Sequence, residues 1–475
     1  MKIIFAIGLA LMSASCFHSA PSIDPPRHVD TPEKWAAPAA SGAVEGRWWQ
    51  EFGVSELDRL IVEALRENPD LHAAQARLQA AAMQAEIAGA LLLPLIEGRA
   101  AGARQRQNFI GFPIPGAEER RVLSTTFTTY GVSINAQWEA DLWGRLSDGE
   151  AAAVADLQSV DADLQGARQS LAAQVSKAWF AAAEARRQVA FTRSTLESFQ
   201  RTSEIVRFRY EEGLASALDL RLARSSVASA EAILKDRERL FDHTVRQLEI
   251  LLGRYPEAVL LVTPELPQLP APPPAGVPAE LVSRRPDVAA AERRLAASVS
   301  RARAARKDLY PRFSLTSLGG TSSQRLRDVL NPDFAVWNLI GNAVRPIFDG
   351  GRLRAQVKAD EAVEAERLAV FASVVLNAFR EVETALAAEE LLQERERALG
   401  EATTHASASL RLSEERYRFG LEGIVSVLEA QRRALESESQ LLAVRRFRLE
   451  NRIDLHLALG GGFEAERSFP TEGQP

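Results

Sequence analysis

The chain has 475 residues, 46% of them apolar, which is enough for large buried surfaces and excludes disorder of the whole chain. Fifty-seven basic and 63 acidic residues leave a net charge of -6 with both signs dispersed, so no polycationic face is offered to a nucleic acid. One cysteine excludes a disulfide framework or thiolate cluster, six scattered histidines show no ligand spacing, and no P-loop, GxSxG elbow or Rossmann fingerprint occurs. The expectation is a chain without metal, cofactor or catalytic site.

Lys2 precedes an apolar run over residues 3–12, and Ser13, Ala14 and Ser15 lead to Cys16. This reads as a signal peptide over 1–15, with Cys16 at the position where bacterial lipoprotein precursors are cut and acylated. The run is too short for the roughly 20 residues a membrane-spanning helix needs. Residues 16–54 carry Pro21, Pro25, Pro26, Pro32 and Pro38 without an apolar period and read as a tether. No later segment is apolar for 18 residues or more, so any membrane crossing falls to strands.

From there the chain is one unit written twice. Asn68-Pro69-Asp70-Leu71, with Ala73, Ala74, Arg77, Leu78, Ala85 and Pro94, matches Arg285-Pro286-Asp287-Val288, with Ala290, Ala291, Arg294, Leu295, Ala302 and Pro311, at a constant spacing of 217. Gly144-Arg145-Leu146, Arg209-Tyr210, Gly213-Leu214, Ala223 and Leu252-Gly253 match Gly351-Arg352-Leu353, Arg416-Tyr417, Gly420-Leu421, Ala430 and Leu459-Gly460 at a spacing of 207. The only length change falls between positions 94 and 144. The copies are placed at 55–253 and 278–460, joined by a proline-rich connector over 254–277 that can be neither helix nor central strand, with a tail over 461–475.

Within each copy the prolines after Asn68 and Arg285 start helices, and Pro94 and Pro311 stop them. From Gly144 to about Glu212, Leu157, Leu164, Leu171, Ala178, Ala185, Phe199 and Val206 fall on a seven-residue repeat beside Val175, Ala182, Val189 and Leu196. That heptad pattern predicts a coiled-coil helix about 100 Å long, ending at Gly213 before a return helix. Copy two repeats both helices. Ahead of the long helix the period changes to two: Thr128, Tyr130, Val132, Ile134, Ala136, Trp138, Ala140 and Leu142 alternate with polar residues and Gly131. An amphipathic strand of this length suits a tilted bilayer crossing, with 95–107 as its hairpin partner (hairpin about 95–142). Copy two offers weaker strands within 312–347. Four strands cannot close a transmembrane barrel, and lipid tolerates no open sheet edge, so several chains must pool their hairpins. A lipid-anchored periplasmic coiled-coil scaffold without a pore is the alternative, opposed by the period-two segment.

The duplicated NPDL and RPDV openings, Trp138-Glu139-Ala140-Asp141-Leu142-Trp143-Gly144-Arg145, Arg345-Pro346-Ile347-Phe348-Asp349-Gly350-Gly351-Arg352 and the two Arg-Tyr-x-x-Gly-Leu turns resemble the TolC-like outer membrane factors, most closely the NodT-type lipoprotein branch. The resemblance implies a mainly α fold with a small transmembrane β-barrel part: four strands per chain, two internal repeats and a long helical barrel in a homotrimeric channel. It implies a passive exit duct in the cell outer membrane, lipid-anchored and reaching into the periplasm, that works with a periplasmic adaptor protein and an inner-membrane pump of RND type and exports drugs or other small toxic molecules. By the same resemblance Asp219, Val425 and Glu429 fall at the channel gate, with Ser426 where some relatives carry aspartate. Gly213, Leu214, Gly420 and Leu421 fall at adaptor-docking turns. The plain alternatives are dipole-complementing acids at a helix start and ordinary glycine caps.

Overall fold

The structure is a computed structural model that describes residues 32, 34–36, 47–109, 123–276, 278 and 284–461. Cys16 and the signal peptide, most of the expected tether before residue 47, residues 110–122 of the expected hairpin, and the tail beyond 461 lie outside the described residues. In chain order the elements are helices α1 (Ser55–Glu67) and α2 (Pro69–Ala90), strands β1 (Leu95–Phe109) and β2 (Leu123–Ala140), and helices α3 (Arg145–Glu211), α4 (Ala217–Leu251) and α5 (Pro286–Lys307). Strands β3 (Arg312–Ser323) and β4 (Ala335–Val344) and helices α6 (Arg352–Arg418) and α7 (Ile424–Ala458) follow.

The repeat is legible in the lengths: α2 and α5 each have 22 residues, α3 and α6 each 67, and α4 and α7 each 35. Equal lengths follow from coiled-coil packing, where one inserted residue would rotate every later side chain about the axis by roughly 100°. No helix among the described residues is long and apolar enough to cross a membrane.

The chain divides into two compact units. One, from residues 79–158 and 292–369, holds a single antiparallel sheet in the order β1-β2-β3-β4. The pairing of β2 with β3, from Tyr130 opposite Ser323 to Ala140 opposite Phe313, unites the two copies in that sheet. β2 starts earlier than the alternation predicts, at Leu123, and β1 runs on to Phe109. Below the sheet, the Asp141 carboxylate accepts from the backbone N–H groups of Leu146 and Ser147 and so caps α3, while Asp349 does the same for α6 through Gly351 and Leu353.

The second unit takes in the described residues among 25–78, 159–291 and 370–461. Its core gathers Trp48, Trp49 and Phe52 with Leu57 and Ile61 of α1, Val175, Trp179 and Phe180 of α3, Leu248 of α4, Val262 of the connector, and Leu449 and Ile453 of α7. The segment expected as a tether over 16–54 is thus partly packed: Trp48, Trp49 and Phe52 are buried in this core, and Trp35 is buried against Phe379 with its Nε1 donating to Gly276 O at 3.1 Å. The heptad seam residues Leu164, Leu171, Val175, Ala182, Ala185, Phe199 and Val206 are buried. Among the described residues the connector forms neither helix nor strand from 254 to 276.

Candidate functional site

In an antiparallel sheet, residues directly opposite one another share a face. The register places Ile96, Ala136, Ser317 and Leu339 in one row, Gly98, Ile134, Gly319 and Trp337 in the next, and Trp138 with Leu315 beyond them. This face is apolar, and Val132 and Phe313 extend it. The other carries Glu97, Arg99, Ser133, Asn135, Gln137, Glu139, Thr316 and Asn342, broken chiefly by Leu95, Leu318, Val336 and Ile340. One side suits hydrocarbon and the other water, as in a transmembrane barrel wall. Within the described chain β1 and β4 each pair along one side only. Ile347 and Phe348, directly after β4, are 103% and 90% exposed. A lone chain thus leaves both sheet edges and a large apolar surface uncovered.

The helix turns of the second unit are built alike. Gly213 and Gly420 both have φ 72°. Gly213 N–H donates to Tyr210 O at 3.0 Å and Leu214 N–H to Arg209 O at 2.7 Å; Gly420 N–H donates to Tyr417 O at 3.0 Å and Leu421 N–H to Arg416 O at 2.9 Å. Both are Schellman caps, which explain the glycines fully. They do not explain the leucines, which are 76% and 68% exposed. Between the turns Val206, Leu220, Ala223, Tyr417, Ile424 and Val427 form a small core, and the Arg209 guanidinium sits 4.4 Å from the Tyr417 ring centroid while Arg209 Nη2 donates to Arg418 O. The two tyrosines differ: Tyr417 is buried, whereas Tyr210 is exposed and does not pack inside the tip.

Asp219 is the third residue of a capping box. Its backbone N–H donates to Ser216 Oγ at 3.1 Å, and its carboxylate accepts from Ser216 N and Oγ, both at 2.9 Å. Copy two has Gly423 and Ser426 at these positions, and α7 starts without a side-chain cap. Val425 and Glu429 line one open groove with Phe199, Leu222, Ile233 and Leu428, a groove in which Asp219 has no part. Glu429 is ion-paired with Arg432 at 3.5 Å and Arg433 at 3.3 Å along its own helix.

Periodicity gave no notice of how the connector is held. The buried Glu249 carboxylate of α4 accepts from the backbone N–H groups of Ala258, Val259 and Leu260 at 2.7, 2.8 and 3.0 Å. Arg246, Arg186 and Arg452 donate to the carbonyls of Pro256, Val262 and Pro270. Proline-rich backbone cannot pair its carbonyls in a helix, so side chains from three helices supply the donors. Arg452 is 1% exposed and also meets Glu389 at 2.9 Å. Among the described residues no group of acids, histidines or cysteines could hold a metal ion.

The family model of outer membrane efflux proteins matches residues 60–254 and 277–461, the two copies of the repeat. The chain is 32% identical over 474 residues to outer membrane protein OprJ of Pseudomonas aeruginosa, covering 98% of this chain and 96% of that protein. It is 31% identical over 464 residues to the pyoverdine export outer membrane protein OpmQ of Pseudomonas putida, covering 96% and 97%. In structure it is similar to the outer-membrane channel OprN, with a TM-score of 0.85 at 27% identity over 94% of this chain and 99% of that one. The open state of the MtrE outer membrane channel of Neisseria gonorrhoeae gives 0.81 at 26% identity over 94% and 99%. A sheet with one lipid-suited and one water-suited face, long paired helices and a family match across both copies make this chain a member of the outer membrane efflux protein family, an efflux channel of the outer membrane with a TolC-like fold that extends into the periplasm.

Proposed function

We propose that three copies pool their sheets into a twelve-stranded barrel and their helices into a periplasmic tube, which passively conducts what an inner-membrane pump of RND type and a periplasmic adaptor deliver. The observation that carries this is the four-stranded sheet whose β1 and β4 edges lack a second neighbour. In lipid each unpaired backbone group costs several kcal/mol, and pairing β4 of one chain with β1 of the next removes every edge. The exposed Ile347 and Phe348 beside β4 support such a contact.

Drugs or other small toxic molecules are the cargo this reading assigns, in keeping with relatives named as antibiotic and toluene efflux pump outer membrane proteins. Leu214 and Leu421, held out by Gly213 and Gly420, form the adaptor-docking surface. Val425 and Glu429, with Asp219 at the neighbouring helix start, form the gate. Residues 1–15 are a lipoprotein signal, Cys16 carries the lipid at the head of a tether, and the repeats at 55–253 and 278–460 flank the 254–277 connector.

Planar-bilayer recording on the purified protein tests the reading. A trimeric duct gives small, mostly closed, cation-preferring currents and sediments as three chains. Single chains in detergent, or silence in the bilayer, would overturn it.

A further inference from the structure

Strand β1 carries three arginines whose positions along the strand separate them by face. Arg99 stands opposite Ser133 on the polar face. Arg104 stands opposite Thr128 and Arg106 opposite Thr126, on the same face as Ile96, Val132, Ile134 and Trp138. Two cations therefore stand on the face suited to hydrocarbon, and their height decides what they meet. β1 leaves α2 at Leu95 and runs to the hairpin, and the helices extend into the periplasm, so the hairpin end faces outward. With about 3.4 Å per residue and a strand tilt of about 40°, Arg104 stands ~20 Å and Arg106 ~26 Å above Ile96. The apolar rows begin ~10 Å below Ile96, at Ala140 opposite Phe313, so an apolar band ~25 Å tall ends ~15 Å above Ile96 and both arginines stand at the outer headgroup level.

The rows around them fit that boundary. Tyr130, one row below Arg104, lays its ring over Gly102, where a Cβ would stand 3.3 Å from the ring. An aromatic ring with a polar tip is the side chain expected at a membrane interface. Above it Ser124, Thr126 and Thr128 replace the apolar side chains, and Arg106 Nη2 donates to Ser124 Oγ at 2.8 Å. Both arginines are exposed, and among the described residues neither has a carboxylate partner.

From this we infer that Arg104 and Arg106 bind the phosphate groups of a phosphorylated glycolipid in the outer leaflet, with the hydroxyls of Ser124, Thr126 and Thr128 as neighbouring donors. The inference rests on the outward orientation of the apolar face in the channel reading. Guanidinium matches phosphate by bidentate hydrogen bonding as well as charge, which is why a pair of arginines at headgroup level selects a phosphorylated lipid over a neutral one.

The test titrates the full-length protein in neutral detergent with a bis-phosphorylated glycolipid and reads its unfolding temperature. Wild type and the opposite-face variant R99S are expected to be stabilised alike. R104S/R106S should bind about fivefold more weakly for each arginine removed, the contribution of one basic side chain at an anionic bilayer surface. R104K/R106K keeps the charge but loses the bidentate fork, so it should respond measurably more weakly than wild type and more strongly than R104S/R106S, a response equal to wild type counting against the inference, and the dephosphorylated glycolipid should give none. An unchanged titration in R104S/R106S, or an equal response to the dephosphorylated lipid, overturns the inference. Inorganic phosphate giving the same rise would also overturn it, by showing a soluble-anion site. Should R104S/R106S fail to fold, the lysine variant and the dephosphorylated lipid still decide. Conductance of the unaltered protein, recorded alongside, tests the channel reading separately.

Discussion

Asn68 and Arg285 hold corresponding positions in the two copies and do the same work with different chemistry: Asn68 Nδ2 donates to Leu251 O at 2.9 Å, and Arg285 Nη1 donates to Ala458 O at 3.0 Å. Each closes the last turn of its copy's return helix onto the start of the short helix. Asn68 also accepts from Asp70 N and Leu71 N, which an arginine cannot do, so in copy two Asp287 accepts from Val288 N instead and binds Arg285. The glycines after these return helices follow from that closeness: a Cβ on Gly253 would stand 2.6 Å from Glu67 O, and one on Gly460 3.2 Å from the Arg284–Arg285 backbone. Replacing Arg285 with alanine leaves Ala458 O unpaired and takes a cation from Asp287 and Glu381, whose carboxylates are half exposed. The expected loss is ~1–3 kcal/mol in denaturant unfolding, with Asn68→Ala losing ~1–2.

His456 gives the stability a pH dependence. Its ring stacks on Trp48 at a centroid distance of 5.5 Å, is fully buried, and forms no hydrogen bond among the described residues. Burial, reinforced by the Arg452 charge, lowers its pKa from 6.5 to about 4. Glu51 comes within 3.4 Å of Nε2 without hydrogen-bonding geometry, so it does not reverse that direction. Between these pH values the unfolded chain binds a proton that the folded chain refuses, so stability is full above about pH 6.5 and falls toward pH 4. The total is on the order of 3 kcal/mol. Thermal unfolding of wild type should lose this contribution across that range, and His456→Gln should flatten the slope.

Glu249 is expected to be the residue on which the connector depends most. Three backbone donors converge on one buried carboxylate, and Glu249→Ala leaves all three without an acceptor. A loss of ~3 kcal/mol or more follows, together with faster protease cleavage between 256 and 262. Cleavage rates equal to wild type would show that the arginines alone hold this segment.

At the helix turns, stability and docking should separate. Gly213→Ala and Gly420→Ala meet open space yet force an L residue to a φ of 72°, which costs ~1–2 kcal/mol each. Leu214→Ser and Leu421→Ser remove exposed side chains and should leave thermal stability unchanged while weakening crosslinking to the adaptor. If the serine variants crosslink at the wild-type yield, the leucines are not a docking surface.

The proposed gate role of Asp219 and Glu429 can be tested apart from helix capping. Asp219→Asn keeps a side-chain acceptor for Ser216 N, and Glu429→Gln removes only exposed pairs with Arg432 and Arg433, which contribute little to stability. Both are expected to raise single-channel conductance, Glu429→Gln with reduced cation preference. Identical currents in the double variant would overturn the proposed gate at these residues.

Periodicity written into neighbouring residues fixed the helices of 22, 67 and 35 residues, the strand alternation around Ile134 and Trp138, and the repeat itself, because backbone geometry turns a period of 2 or 3.5 into one structure without help from distant residues. The positions of Gly213 and Gly420 just past the long helices were legible for the same reason, whereas Asp219, Val425 and Glu429 were reached through the family resemblance. What pairs with what across the chain was not. That β2 lies beside β3, that Glu249 gathers the amides of Ala258 to Leu260, that Arg452 reaches Pro270, and that His456 meets Trp48 are contacts between segments whose local patterns are indifferent to them. Burial and hydrogen-bond satisfaction choose those partners only once the helices have brought them within reach, so the tertiary structure alone decided them.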